Sequence, residues 1–227
     1  MSSNPKYSSK YHIEKEIDII MNRLNIAKQN LQLFKELKSE KNVNTICSQF
    51  PHTFSIILNS LQEKALLELA KLVVDFEKID TTSITIYDLY NHYQKNKDIF
   101  KVKKYYMVKD IDTEKRHRFY FDTKDIDISM KKLMYDLQAN IKISKYLKRR
   151  RHKSIAHNDK KISFDTKNKY SKDKITYQEL ENFINLLIED VNEISSCIFG
   201  KQYTFIYSEI DEINYLRDVL IKVKNIS

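Results

Sequence analysis

Eleven residues, Arg149-Arg150-Arg151-His152-Lys153-Ser154-Ile155-Ala156-His157-Asn158-Asp159, combine a run of cations with two imidazoles. An imidazole exchanges protons near neutral pH, whereas a guanidinium stays charged. Together they suit a phosphodiester: a cation holds the anion while an imidazole moves a proton. RNA carries its own nucleophile, the 2′-OH that DNA lacks. A base that removes this proton lets the oxygen attack the adjacent phosphorus, and a cation stabilises the charge that grows on the nonbridging oxygens. A second imidazole, either His152 or, where two chains pair, the partner subunit's His157, would protonate the departing 5′-oxygen. The products of such a reaction are a 2′,3′-cyclic phosphate and a 5′-hydroxyl, and no metal is needed.

The segment must be positioned by the helix that leads into it. Leu133, Leu137, Ile141, Ser144, Leu147, Arg151 and Ile155 recur near one stripe, which predicts a single long helix from about Ile128 to the motif. Arg151 then falls one turn from both Leu147 and Ile155, beside apolar positions. A guanidinium in such a place needs an anionic or hydrogen-bonding partner. Asp75, Asp159, a residue across a dimer seam and a ligand phosphate all remain open for that role.

The rest of the chain reads as the helical body around this element. Ile13, Ile17, Ile20, Leu24, Ala27, Leu31 and Phe34 alternate at spacings of three and four, predicting a helix over 11–39. Pro51 suits the first turn of a second helix reaching about Lys78, with Phe54, Ile57, Leu58, Leu61, Ala65, Leu69, Leu72, Val73 and Phe76 on its apolar face. A short helix over 84–94 is capped by Ser83 or Thr85. Residues 99–121, aromatic and β-branched around a polar tip, predict a small β-hairpin insertion. Thr176-Tyr177-Gln178-Glu179 is a capping box opening a helix that Gly200 closes, and a final helix follows Ser208. The expected fold is therefore mainly α, a helical bundle with a small β-hairpin insertion. Residues 11–200 form the domain, and 201–227 form a C-terminal helical extension packed on it.

Composition narrows the function classes. With one Gly and two Pro in 227 residues, there is no Gly-rich phosphate loop, so P-loop and dinucleotide-binding readings fall away. The formal net charge of +9 favours polyanionic partners such as nucleic acid. No apolar run reaches transmembrane length and residues 1–12 are polar, which points away from a membrane and towards the cytoplasm. Cys47 and Cys197 stand apart in apolar surroundings, arguing against a disulfide framework or thiolate metal site, and no metal constellation or other cofactor signature stands out.

An arginine, a polar residue, four further residues and a histidine, Arg151 to His157 at the end of a long helix, resemble the HEPN superfamily. The fuller string Arg151 to Asp159 is similar to the HEPN-like branch associated with type U abortive phage infection, as is Leu69-Ala70-Lys71-Leu72. The likeness spans about Tyr11 to Gly200. It implies a HEPN-like helical bundle that pairs as a homodimer, bringing two motifs into one cleft. It further implies a metal-independent endoribonuclease acting in phage defence or as a toxin, with a possible antitoxin or other defence-system partner. Arg151 would bind the scissile phosphate and His157 would transfer the proton. His152 departs from the frequent asparagine or aspartate at its position, which leaves its role open.

Plainer readings stand beside each of these. His157 can serve as a cation at a helix C-terminus, and Arg151 as a structural bridge between helices. His152 is a catalytic or a supporting residue. Lys145, Lys148, Arg149, Arg150 and Lys153 are either an RNA-backbone track or a solvated face. Tyr105, Tyr106, Phe119 and Tyr120 either stack on bases or pack within the hairpin. Asp159 orients His157, neutralises Arg151 or caps a loop. The competing function is a non-catalytic HEPN-like module that binds RNA or a protein.

Overall fold

The computed structural model describes residues 5–39, 50–73, 84–100, 104–109, 116–121, 123–155 and 175–203. The seam that predicted the first helix is its buried face. Helix α1 runs Pro5–Ser39, and Ile13, Ile17, Ile20, Leu24, Ala27, Leu31 and Phe34 are all buried along it. A face this continuous needs partners over its whole length, and among the described elements α1 packs against α2 (Pro51–Val73), α3 (Ile86–Lys95) and α6 (Tyr177–Phe199). Helix α2 buries Phe54, Ala65, Leu66, Leu69, Leu72 and Val73, whereas Ile57, expected on the same face, is 40% exposed. The end of α2 beyond Val73, with Phe76, lies outside the described residues.

Local chemistry sets the helix ends. The Thr85 hydroxyl accepts from the Asp88 amide while the Asp88 carboxylate accepts from the Thr85 amide, so Thr85 rather than Ser83 opens α3. Thr176 and Glu179 make the same reciprocal pair at the start of α6. Gly200 ends α6 at φ 66°, a left-handed backbone that glycine adopts without a Cβ clash.

Two expectations are corrected. The single helix from about Ile128 to the motif is in fact two, α4 (Thr123–Ala139) and α5 (Ile141–Ile155). Asn140 makes the break. Its amide and its side chain both donate to the Asp136 carbonyl, and its own carbonyl accepts from Ile143 and Ser144. It thus ends one helix and caps the next, as asparagine readily does. The break lets α4 pack on α6 while α5 packs on α2. It also leaves Ile141, expected on the buried stripe, 49% exposed.

The second correction concerns the fold class and its β insertion. Residues 97–100 belong to the helical body: Lys97–Phe100 is a turn of 3-10 helix, and the Phe100 ring is buried 5.7 Å from that of Tyr93. Among the described residues, strand pairing is confined to β1 (Lys104–Lys109) and β2 (Arg116–Phe121), antiparallel with Tyr105 opposite Tyr120 and Tyr106 opposite Phe119. Every buried apolar side chain among the described residues lies on a helix or on that 3-10 turn. The class is therefore a helical bundle whose described core contains no β component. Of the C-terminal extension, only Lys201 to Tyr203 falls within the described residues.

The core also holds ionisable groups that periodicity does not reveal. Asp190 of α6 is buried and takes a hydrogen bond from Lys132 of α4. Burial pushes its carboxyl from 3.8 up to about 6, with Lys132 opposing that rise and Asp136 adding to it. The folded carboxyl holds its proton more tightly than the unfolded one. The stability from this group is therefore full below the ordinary carboxylate range and is lost as pH rises through about 6. Asp190→Asn, which mimics the protonated form, is expected to gain about 1–3 kcal/mol on wild type between pH 4 and pH 8. Urea midpoints at the two pH values measure this, and an offset that does not change with pH contradicts it.

Candidate nucleic-acid interface

Helix α5 carries the cationic segment, and its rotation is fixed by two core residues. Ile143 and Leu147 are buried on the side that packs against α2. Arg151 follows Leu147 by one helical turn and is half-buried on this side. Lys145, Arg149 and Arg150 are exposed and Lys148 is half-buried, so the cations divide between a packed edge and an open one. Arg151, His152 and Lys153 stand on the last described turns of α5.

Arg150 is held against Tyr146 on its own helix. Its Nε donates to the Tyr146 hydroxyl at 3.2 Å, and its guanidinium lies 5.7 Å from the centre of the same ring. A planar cation held in this way has lost part of the freedom it would otherwise surrender on meeting a phosphate. Tyr146 is itself packed against the helical core.

The histidine half of the motif stands differently. His152 and Lys153 lie on the helical backbone of α5, but their side chains fall outside the described residues, as do His157, Asp159 and Asp75 entirely. The structure thus brings Arg151 together with Lys145, Lys148, Arg149 and Arg150 on one helix. The side chains of Tyr105, Tyr106, Phe119 and Tyr120 likewise fall outside the described residues.

Several residues around α5 escaped the sequence reading. Tyr146 was recognisable in principle, because it stands four residues before Arg150 on a helix. Tyr177 meets Phe34 and Lys38 only through tertiary packing. Glu68 of α2, adjoining the Leu69-Ala70-Lys71-Leu72 string, is buried with Lys71 at 2.7 Å, Lys64 at 3.3 Å and Arg23 at 4.0 Å. Burial raises its carboxyl, but the bonds and charges of Lys71 and Lys64 outweigh that and hold it below the usual carboxylate range. Among the described residues, no group of three or more histidines, cysteines or carboxylates is placed to hold a metal ion. None of the described helices is long and apolar enough to cross a membrane.

A helical bundle that ends one helix in an arginine-rich segment, with a histidine six residues beyond Arg151, has the make-up of a HEPN protein. A family model described as HEPN_AbiU2 (AbiU2) matches residues 12–219, and the chain belongs to that family. Membership gives it a general place among HEPN proteins of abortive infection and antiviral defence. No curated protein and no solved structure matches the chain.

Proposed function

We propose that the chain is a metal-independent endoribonuclease that acts in phage defence or as a toxin. The observation that carries this reading is the setting of Arg151. It is a half-buried guanidinium one turn beyond the core residue Leu147, on a cationic helix of a HEPN-family chain. In this role Arg151 binds the scissile phosphate and stabilises its transition-state charge. His157 removes the 2′-OH proton, and a second imidazole, His152 or the partner subunit's His157, returns one to the 5′-oxygen. Asp159 supports the imidazole. Lys145, Lys148, Arg149, Arg150 and Lys153 track the RNA backbone.

A homodimer belongs to this reading, because pairing supplies two arginines and two His157 imidazoles to one cleft. Light scattering should then give twice the chain mass, and a monomer with full activity would remove the argument. The reaction is tested by one substitution in the substrate. Replacing the 2′-OH at a mapped cleavage position by hydrogen should abolish cutting there while leaving binding largely intact, since the attacking oxygen is gone and the phosphates remain. Equal cutting of the deoxy-substituted strand would rule out 2′-OH attack.

A further inference from the structure

Three helices converge beside the open edge of α5 and place aromatic rings and cations together. From the last turns of α1 come Phe34 and Lys38, from α5 Tyr146 and Arg150, and from the first residue of α6 Tyr177. The Phe34 and Tyr177 rings stack at 4.7 Å with a 31° tilt, and the Lys38 ammonium lies 5.6 Å and 5.5 Å from their centres. Phe34 is buried and backs the pair, whereas Tyr177 and Tyr146 are half-buried and keep part of their surface open.

The two ring–cation groups are tied together where α5 and α6 begin: Lys142, one turn before Tyr146, reaches Glu179, two residues after Tyr177, at 3.6 Å. Burial raises the Tyr177 phenol, with Tyr146 adding to that rise and Arg150 opposing it. Among the described residues, Glu181 pairs with Lys35 at 2.7 Å and Glu179 with Lys142 at 3.6 Å, and the Glu36 carboxylate accepts from Gln32 at 2.8 Å. Among the described residues, neither Lys38 nor Arg150 is paired with a carboxylate, and both are exposed. Among the described residues, Lys38 and Arg150 thus set positive charge beside half-open aromatic surface, and Arg150 is next in sequence to Arg151.

We propose that Tyr146, Arg150, Tyr177 and Lys38 form a nucleotide-binding ledge that holds single-stranded RNA beside the Arg151 end of α5. This rests on the ribonuclease reading above and gives its substrate a strandedness. Arg150, aligned by the Tyr146 hydroxyl, takes a phosphate through its remaining N–H groups. Tyr177 offers its ring to the neighbouring base, and Lys38 neutralises the next phosphate. Stacking of this kind tolerates any base, because each has a π-face, so the ledge adds affinity with little sequence preference. A duplex has its bases already stacked on one another and gains nothing from the tyrosine.

The probe is an uncleavable 2′-O-methyl RNA of roughly ten nucleotides, within the span that one such groove occupies. Its affinity is measured for the full-length protein across a salt series, single-stranded and annealed to its complement. Arg150→Gln and Lys38→Gln, both at exposed positions, should each weaken single-strand binding several-fold and flatten the salt dependence by about 0.7 per lost phosphate contact. Tyr177→Leu should cost about tenfold on the single strand and leave duplex binding unchanged, the size expected for one lost base stack. Tyr146→Phe keeps the ring and removes only the hydroxyl. It should weaken single-strand binding less than Arg150→Gln does, without altering thermal stability. If wild type binds the single strand with steep salt dependence while Arg150→Gln, Lys38→Gln and Tyr177→Leu all bind it equally well, the ledge is overturned and the ribonuclease reading stands. If wild type binds neither strand form, both fall together.

Discussion

Replacing His157 by alanine should lower RNA cleavage by at least about tenfold, the low end of what a positioned proton-transfer group contributes. Replacing Arg151 by alanine should lower it by at least as much, because a cation on the nonbridging oxygens acts most strongly as transition-state charge develops. The two losses should differ in kind. His157→Ala removes a proton acceptor that the ground state hardly uses, so binding changes little and the turnover rate carries the loss. Arg151→Ala removes a phosphate contact as well and weakens binding along with turnover. If the two imidazoles and the guanidinium work as one unit, the double variant should be hardly worse than either single one. Single-turnover cleavage and separate affinity measurements resolve these terms. A well-folded His157→Ala protein that cuts at the wild-type rate would reject the assigned role.

Leu147→Ala should produce the largest stability loss around the motif, about 2–5 kcal/mol. Leu147 is 0% exposed where α5 packs against α2, and shortening it removes buried methyl groups and leaves a cavity between the two helices. The consequence should reach the site. Arg151 stands one turn further along the same side of α5, and displacement of a positioned group by about 1 Å can cost roughly a hundredfold in rate. At a temperature where the variant remains folded, its cleavage should therefore fall although no chemical group has changed. The urea midpoint should drop with an unaltered slope. Lys145→Ala on the exposed side of the same helix should stay within about 0.5 kcal/mol of wild type. Equal stability losses for the two substitutions would contradict the assigned orientation of α5.

The sequence made some of this architecture visible and concealed the rest for identifiable reasons. The seam from Ile13 to Phe34 was legible because one uninterrupted helix buries one uninterrupted stripe. The Thr176–Glu179 box and Gly200 were legible because capping and left-handed backbone are local chemistry. The break at Asn140 was not, since Leu137, Ile141, Ser144 and Leu147 keep helical spacing straight across it. Periodicity records which residues share a stripe, and it cannot record that α4 and α5 lean on different partners. Nor does an apolar side chain guarantee burial: Tyr135 of α4 is 72% exposed. The side of α5 that Arg151 occupies followed from its spacing to Leu147. The pairing of Phe34 with Tyr177 could not be assembled in the same way, because the two rings come from different helices that only the tertiary fold brings together. His157 and Asp159 lie outside the described residues, and their roles rest on the motif and its chemistry.

The central claim is that cleavage proceeds through the 2′-OH with His157 as the proton-transfer group. Incubating end-labelled RNA with wild type and with His157→Ala in excess EDTA, then reading the chemistry of the cut ends, tests it most directly. Wild type should leave 2′,3′-cyclic phosphate and 5′-hydroxyl termini despite the chelator, and His157→Ala should leave few or none. Ends bearing a 3′-hydroxyl and a 5′-phosphate, or cyclic-phosphate ends produced equally by a well-folded His157→Ala protein, would contradict it.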